Sequence, residues 1–217
     1  MIKANVSVIG TVSKAATVRP NKDGVPRFSF YLSVILPSST NDQKGVEIYV
    51  SNDNANSLDV AKFLPGVHVS VFGTMDIRPK HEDTEKKMND CMFYLQATSM
   101  SIVEPSTADA ITGTISFTGH IDSKDIVQKK DKNNNPFICF TAHHSEKDDN
   151  KDKWFYVNVR FLRFLRRDEQ PEALCPEWLV PKAKVSISGD LQMSTYNSII
   201  SITSRISEIA KYVEKQQ

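Results

Sequence analysis

The 217-residue sequence is short of the features that mark several classes of protein. It has three cysteines, Cys91, Cys139 and Cys175, an odd number without C-x-x-C spacing. Neither a disulfide framework nor a zinc site is expected, and a reducing, cytoplasmic compartment fits. Charge of one sign is missing: 27 Lys+Arg against 26 Asp+Glu leave a net charge of +1. That excludes a chain that coats nucleic acid by bulk electrostatics alone. No apolar run approaches the ~18 residues of a membrane span, and the opening residues lack the apolar core of a signal peptide. Walker, G-x-G-x-x-G, H-E-x-x-H and G-x-S-x-G signatures are absent, so no enzyme is expected. His143, His144 and Glu146 lack helical metal-ligand spacing, and residues 148–152 lack the Gly and terminal Glu of a calcium loop. No metal or cofactor is expected. A hydrophobic fraction of 40% is too high for a disordered chain.

What the chain does have is a repeat of about half its length. Val8-Ile9-Gly10-Thr11-Val12-Ser13-Lys14 is matched by Phe117-Thr118-Gly119-His120-Ile121-Asp122-Ser123-Lys124. A polar turn follows in each copy, Asn21-Lys22-Asp23-Gly24-Val25-Pro26 and Lys132-Asn133-Asn134-Asn135-Pro136. Next come a shared Tyr-Val pair (Tyr49-Val50, Tyr156-Val157), a strand ending in Gly73 or Gly189, and a closing alternating run. The small, polar stretch Pro105-Ser106-Thr107-Ala108 sets the boundary, giving domains 1–106 and 107–217. Neither is basic as a whole: 11 basic against 11 acidic residues in the first, 16 against 15 in the second.

Period-two alternation predicts strands. Phe28, Phe30, Leu32 and Val34 share one face, and Arg27, Ser29, Tyr31 and Ser33 the other. In the second copy Phe155, Val157, Val159 and Phe161 point one way, and Trp154, Tyr156, Asn158 and Arg160 the other. One face is core; the opposite face mixes aromatic and polar groups. Residues 55–64, and about 161–178 in the second copy, have helix length, the latter interrupted by Pro171 and Pro176. The order β-β-β-α-β-β, twice, is the layout of the OB-fold. The expected class is mainly all-β: two tandem OB-folds, each a five-stranded Greek-key barrel with a helix between strands three and four.

In this order the chain resembles the bacterial-type single-stranded DNA-binding protein family. The run from Val6 to Val12 is similar to its opening V-x-L-x-G-x-[LV] strand, and Gly24-Val25-Pro26-Arg27-Phe28-Ser29-Phe30 to its hairpin and second strand. Lys153-Trp154-Phe155-Tyr156-Val157 is similar to its E-W-x-x-V strand, and Phe63-Leu64-Pro65-Gly66 to its Y-L-x-K-G turn. The likeness covers nearly the whole chain, carried by the order of weak motifs and their duplication. The resemblance implies binding of single-stranded DNA without strong sequence preference, in replication, recombination or repair. Because family members commonly work with four OB-folds together, it also implies a homodimer of this two-domain chain.

Unpaired bases stack on aromatic rings, while Lys and Arg follow the phosphates. On the second copy the candidates are Trp154, Tyr156, Asn158 and Arg160 on the third strand, and Phe137 and His143 on the second. Lys129 and Lys130 lie in the expected loop between the first two strands. On the first copy they are Arg27, Tyr31 and Tyr49, with Arg78 and Lys80 in the hairpin between strands four and five. Aligned through the shared Tyr-Val pair, Glu47 stands where the second copy has Trp154, and an acid there repels phosphate. The first copy is therefore expected to bind weakly or to serve in dimerisation. If helical, Arg163, Arg166 and Arg167 form a basic patch.

The same aromatic row also suits an OB-fold protein–protein scaffold or an RNA-binding OB protein. The family's acidic tail has no match in Ala210-Lys211-Tyr212-Val213-Glu214-Lys215-Gln216-Gln217, so recruitment of replication enzymes by such a tail is not expected.

Overall fold

Alternation in the sequence becomes alternation in burial. In β1 (Ile2–Pro20), Ile2, Ala4, Val6 and Val8 are buried, while Lys3 and Asn5 are exposed. The computed structural model describes residues 2–38, 45–54, 60–81, 90–124, 126–148, 150, 152–166, 168–197 and 199–213. The first repeat continues with β2 (Pro26–Ile35), β3 (Gly45–Asn52), a 3-10 turn at Val60–Lys62, β4 (His68–Pro79) and β5 (Cys91–Ile102). The second comprises β6 (Ala110–Ile121), β7 (Val127–Lys130), β8 (Pro136–Asp148), β9 (Lys153–Phe164), a 3-10 turn at Pro171–Leu174, β10 (Lys184–Tyr196) and β11 (Ile199–Lys211). The protein is thus mainly β. Among the described residues, no helix is long and apolar enough to cross a membrane.

Among the described residues eleven strands form one sheet, in the order β2-β3-β5-β4-β1-β6-β10-β11-β9-β8-β7. Within the first repeat the pairings close a ring: β1 with β2, β2 with β3, β3 parallel to β5, β5 with β4, and β4 with β1. The second repeat closes the corresponding ring through β6, β8, β9, β11 and β10. Each ring encloses its own aromatic core. Phe28, Phe30 and Phe63 meet at centroid distances of 5.2–5.7 Å. Phe117, Phe140 and Phe161 meet likewise, with Phe161 5.0 and 5.6 Å from the other two. Burying one such ring contributes on the order of 1.5–3 kcal/mol.

The repeats join through their first strands. β1 and β6 run antiparallel from Ile2↔Phe117 to Ile9↔Ala110, centred on Asn5↔Thr114. Ile2↔Phe117 at one end mirrors Val8↔Ile111 at the other, so the ladder has near two-fold symmetry. At Val6↔Gly113 the backbones crowd: a Cβ on Gly113 (φ 154°) would lie 2.0 Å from the Asn5 carbonyl oxygen. The tips interlock as well. Thr195 of β10 donates its N–H to the Pro37 carbonyl oxygen of the first repeat at 2.9 Å.

Two local expectations change. In the first repeat, residues 55–59 of the expected helix lie outside the described residues, and Val60–Lys62 is a single 3-10 turn. In the second, Phe161–Phe164 completes β9, because alternation persists and Phe164 pairs with Phe137 on β8; the prolines then allow only the turn Pro171–Leu174. The helical arginine patch therefore does not form. Half-buried Arg163 donates to the carbonyl oxygens of Ala173 and Leu174 and pairs with Glu169 at 3.2 Å. Arg166 donates to the Ser207 carbonyl oxygen, and Arg167 lies outside the described residues.

Candidate nucleic-acid interface

The hairpin turns set a common register for the two repeats. Asn21 Oδ1 accepts the N–H groups of Asp23 and Val25 at 2.9 and 3.0 Å. Asp131 Oδ1 accepts those of Asn133 and Asn135, both at 2.8 Å. Gly24 (φ 77°) and Asn134 (φ 65°) hold the same left-handed corner, a conformation open to Gly and Asn. These backbone bonds also hold the Asp131 carboxyl below its ordinary range, the bond from Asn135 contributing most. Pro26 and Pro136 then open β2 and β8 in step.

Counting from these turns, Tyr31↔Tyr49 on β2 and β3 corresponds to Thr141↔Arg160 on β8 and β9. Ser33↔Glu47 corresponds to His143↔Asn158. Glu47 is therefore the counterpart of Asn158, not of Trp154, and the Tyr-Val alignment is out of step by four residues. The reason is the longer second hairpin: β8 and β9 stay paired as far as Asp148↔Lys153, whereas β2 and β3 are paired only to Ile35↔Gly45. The position matching Trp154 falls within 39–44, outside the described residues.

On the first repeat, three tyrosines from neighbouring strands face away from the core. Tyr31 and Tyr49 lie 5.4 Å apart (centroids, 65° between planes), and Tyr49 and Tyr94 6.1 Å apart (69°). Tyr94, on β5, was not read from the sequence. It sits in the right alternation, but only the parallel β3–β5 register places it beside Tyr49. A groove of about 690 Å³ runs over Tyr31 and Tyr49 between Lys14, Arg19 and Arg27. A second, of about 530 Å³, continues from Arg27 and Tyr49 to Tyr94, Arg78 and Lys3. The cations beside the rings have acidic partners. Lys14, 4.2 Å from the Tyr31 centroid, pairs with Glu47 at 3.3 Å. Arg27 pairs with Asp53 at 2.7 Å, a hydrogen bond that raises the guanidinium pKa further. Arg78, 5.9 Å from the Tyr94 centroid, stands 3.7 Å from Asp76. Arg78 lies within β4, and Lys80 follows the strand, its N–H bonded to the Asp90 carbonyl oxygen at 2.9 Å.

The second repeat is built differently at the same positions. Where the first has the ion pair Arg27–Asp53, it has the stacked rings of Phe137 and Phe164, 5.0 Å apart at 22°. Where the first has Tyr49, it has Arg160, whose Nε donates to Cys139 Sγ at 3.2 Å. Arg205 on β11 holds its guanidinium 4.8 Å from the Phe164 centroid. Lys129 and Lys130 are not in a loop. They form β7, paired with Phe137 and Pro136, because the second repeat's first long strand is broken near residues 122–126. Lys129, Lys130, Asp131, Phe137, Arg160 and Phe164 line a groove of about 380 Å³, with Arg205 over Phe164 at its edge. Phe164 falls in the run after Phe161 that has helix length, whereas Arg205, on the closing strand, is brought beside it only by the parallel β9–β11 register.

The remaining candidates lie apart, on the longer β8–β9 arm. Trp154 and Tyr156 are 51% and 50% exposed. They share a strand face with Asn158 and Arg160, but Trp154 is six residues from Arg160, roughly 20 Å along the strand. His143 joins this arm rather than Phe137: its ring is 5.5 Å from Tyr156 and 6.1 Å from His120. Burial, and then the charge of His120, keep the His143 pKa below the ordinary histidine value. On the inner face of the arm, Phe155 stacks on His81 at the end of β4 (4.7 Å, 17°). His81 lies 3.7 Å from Asp148 and 3.8 Å from Glu146.

The grooves of the two repeats open on one continuous sheet face. A row of register partners leads from Ser29 through Ser51, Gln96, Thr74 and Asn5, crosses to Thr114 at the centre, and ends through Asp190, Arg205 and Leu162 at Cys139. Among the described residues no cluster of three or more His, Cys, Asp or Glu is placed to hold a metal ion.

No family model matches the chain, and the search of curated proteins returned no match. Solved structures of similar fold include the single-stranded DNA-binding protein of Thermus aquaticus, 14% identical, covering 99% of this chain and 95% of that one with a TM-score of 0.44. They also include the small single-stranded DNA-binding protein of Streptomyces coelicolor (14% identical, 48% of this chain, 94% of that one, TM-score 0.35) and a Plasmodium falciparum SSB in complex with ssDNA (21%, 46%, 95%, 0.33).

Proposed function

We propose that the chain is a non-catalytic, sequence-tolerant single-stranded DNA-binding protein of replication, recombination or repair. It is built as two OB-folds, residues 1–106 and 107–217, and works as a homodimer. The observation that carries this reading is the row Tyr31, Tyr49 and Tyr94, three rings turned to solvent on adjacent strands and bordered by cations. An ordinary solvated sheet face carries no such row. Bases stacked on rings gain about 1–3 kcal/mol each, which a neutral protein needs in place of bulk charge. The nucleic-acid contacts are assigned to Tyr31, Tyr49, Tyr94, Arg27, Arg78 and Lys80 on the first repeat. On the second they are assigned to Phe137, Phe164, Arg160, Arg205, Lys129 and Lys130, with Trp154, Tyr156, Asn158 and His143 extending the surface along the arm.

The test is a titration of labelled oligo-dT, oligo-rU and duplex DNA, with light scattering for the oligomeric state. Tight binding of dT over rU and duplex, by a dimer, is expected. Absence of binding to all three at micromolar protein refutes the proposal.

A further inference from the structure

The grooved faces of the two repeats have the same position but different floors. In the first repeat the floor is the tyrosine row, and the cations touching it are each held by an acid: Lys14 by Glu47, Arg27 by Asp53 and Arg78 by Asp76. In the second, Tyr49 is replaced by Arg160, Gln96 by Arg205, and the pair Arg27–Asp53 by Phe137–Phe164. Among the described residues neither Arg160 nor Arg205 forms an ion pair, although Asp131 lines the groove with Arg160 and Asp190 is the cross-strand neighbour of Arg205. Their contacts are a thiol and a ring face. The rims are alike, with Arg19 at the position of Lys129. The contrast is therefore confined to the floors.

From this we infer a division of labour that rests on the proposed function. The first groove holds bases by stacking and contributes little to salt dependence. The second clamps the backbone through Arg160 and Arg205 and supplies most of it. A cation already neutralised by a protein carboxylate has no counterion to release when phosphate arrives. A cation without one releases its share, worth ~0.7 in the slope of log K against log salt on a single strand. Two such arginines account for about 1.4 of that slope. Removing a stacking ring instead lowers affinity roughly 5- to 150-fold at every salt concentration.

The experiment measures oligo-dT affinity of the full chain over a tenfold range of salt. It compares wild type, Arg160→Gln/Arg205→Gln and Tyr49→Leu/Tyr94→Leu; these substitutions keep the side-chain stems or bulk, and thermal melts verify folding. The arginine variant is expected to flatten the slope by about 1.4, and the tyrosine variant to lower affinity with the slope unchanged. An unchanged slope in the arginine variant, or an equal flattening in the tyrosine variant, overturns the division while leaving single-strand binding intact. The single variants Arg160→Gln and Tyr94→Leu give the same reading, at half the slope change for the arginine, should a double variant fail to fold. A wild-type chain that does not bind dT refutes the proposed function itself, and this inference with it.

Discussion

Replacing Asp53 by Asn should make the protein bind single-stranded DNA more tightly. Asp53 holds Arg27 at 2.7 Å beside Tyr49, in the path between the two grooves of the first repeat. The two side chains are 38% and 48% exposed, so their pairing contributes only about 0.2–1 kcal/mol to stability once solvent screening is counted. Asp53 also accepts a hydrogen bond from Gln96 Nε2 at 3.0 Å, which the amide oxygen of Asn can still accept. The fold should therefore survive with a melting temperature close to wild type. The gain falls on the ligand. A guanidinium meeting a phosphate at ~4 Å in a water-like medium gains about 1 kcal/mol, or fivefold, without a competing carboxylate. One newly available cation adds ~0.7 to the salt slope, so a tenfold rise in salt should cost the variant about fivefold more affinity than wild type. Fluorescence anisotropy of labelled oligo-dT over that range measures both quantities. Weaker binding at low salt, or a slope equal to wild type, would refute the reasoning, since it would place Arg27 outside the path of the strand.

Other outcomes follow from the same geometry. Because burial and His120 hold His143 below the ordinary value of ~6.5, the unfolded chain takes up a proton first as pH falls. Stability should be full above about pH 6.5 and decline below it, and His143→Gln should flatten melting temperature against pH; a wild-type profile level from pH 7 to 5 contradicts this. Gly113→Ala places a Cβ against the Asn5 carbonyl oxygen and should cost ~1–3 kcal/mol in urea unfolding, read as a lower midpoint at unchanged slope. An unchanged midpoint would show that β6 shifts freely on β1. Burial pushes the Cys91 thiol up to about 12, whereas Cys175 is exposed. A thiol reagent at mildly alkaline pH should label Cys175 in the native protein and leave Cys91 unlabelled, as peptide mapping would show.

Strand faces were legible in the sequence because alternation is local. Phe28, Phe30, Leu32 and Val34 are buried, and Tyr31 and Arg27 are not, as period two requires. Register was less legible, because it depends on where each hairpin closes. The Tyr-Val pairs are similar by sequence yet not equivalent in space, since β8 and β9 run on past the point where β2 and β3 separate. Tyr94 shows the same limit in another form. Its alternation was visible, but a parallel neighbour distant in the chain decides what it touches. The segment after Phe161 was misread because a run of helix length carries no sign that its first residues belong to a strand already paired with Phe137.

The near two-fold centre at Asn5↔Thr114 gives the difference between the grooves its meaning. Two copies of one groove joined by antiparallel first strands would present the same chemistry twice. Here the row from Ser29 to Cys139 crosses from tyrosines with paired cations to phenylalanines whose cations, Arg160 and Arg205, form no ion pair among the described residues. A strand lying along that row meets both floors without leaving the sheet. Its bases have more to gain over the first repeat and its phosphates over the second. On the proposed function, a nearly neutral chain holds a polyanion because Glu47, Asp53 and Asp76 engage cations of the first repeat while Arg160 and Arg205 form no ion pair among the described residues. The sign of the Asp53→Asn effect follows from that allocation: removing an acid from the first groove gives it the electrostatic character of the second.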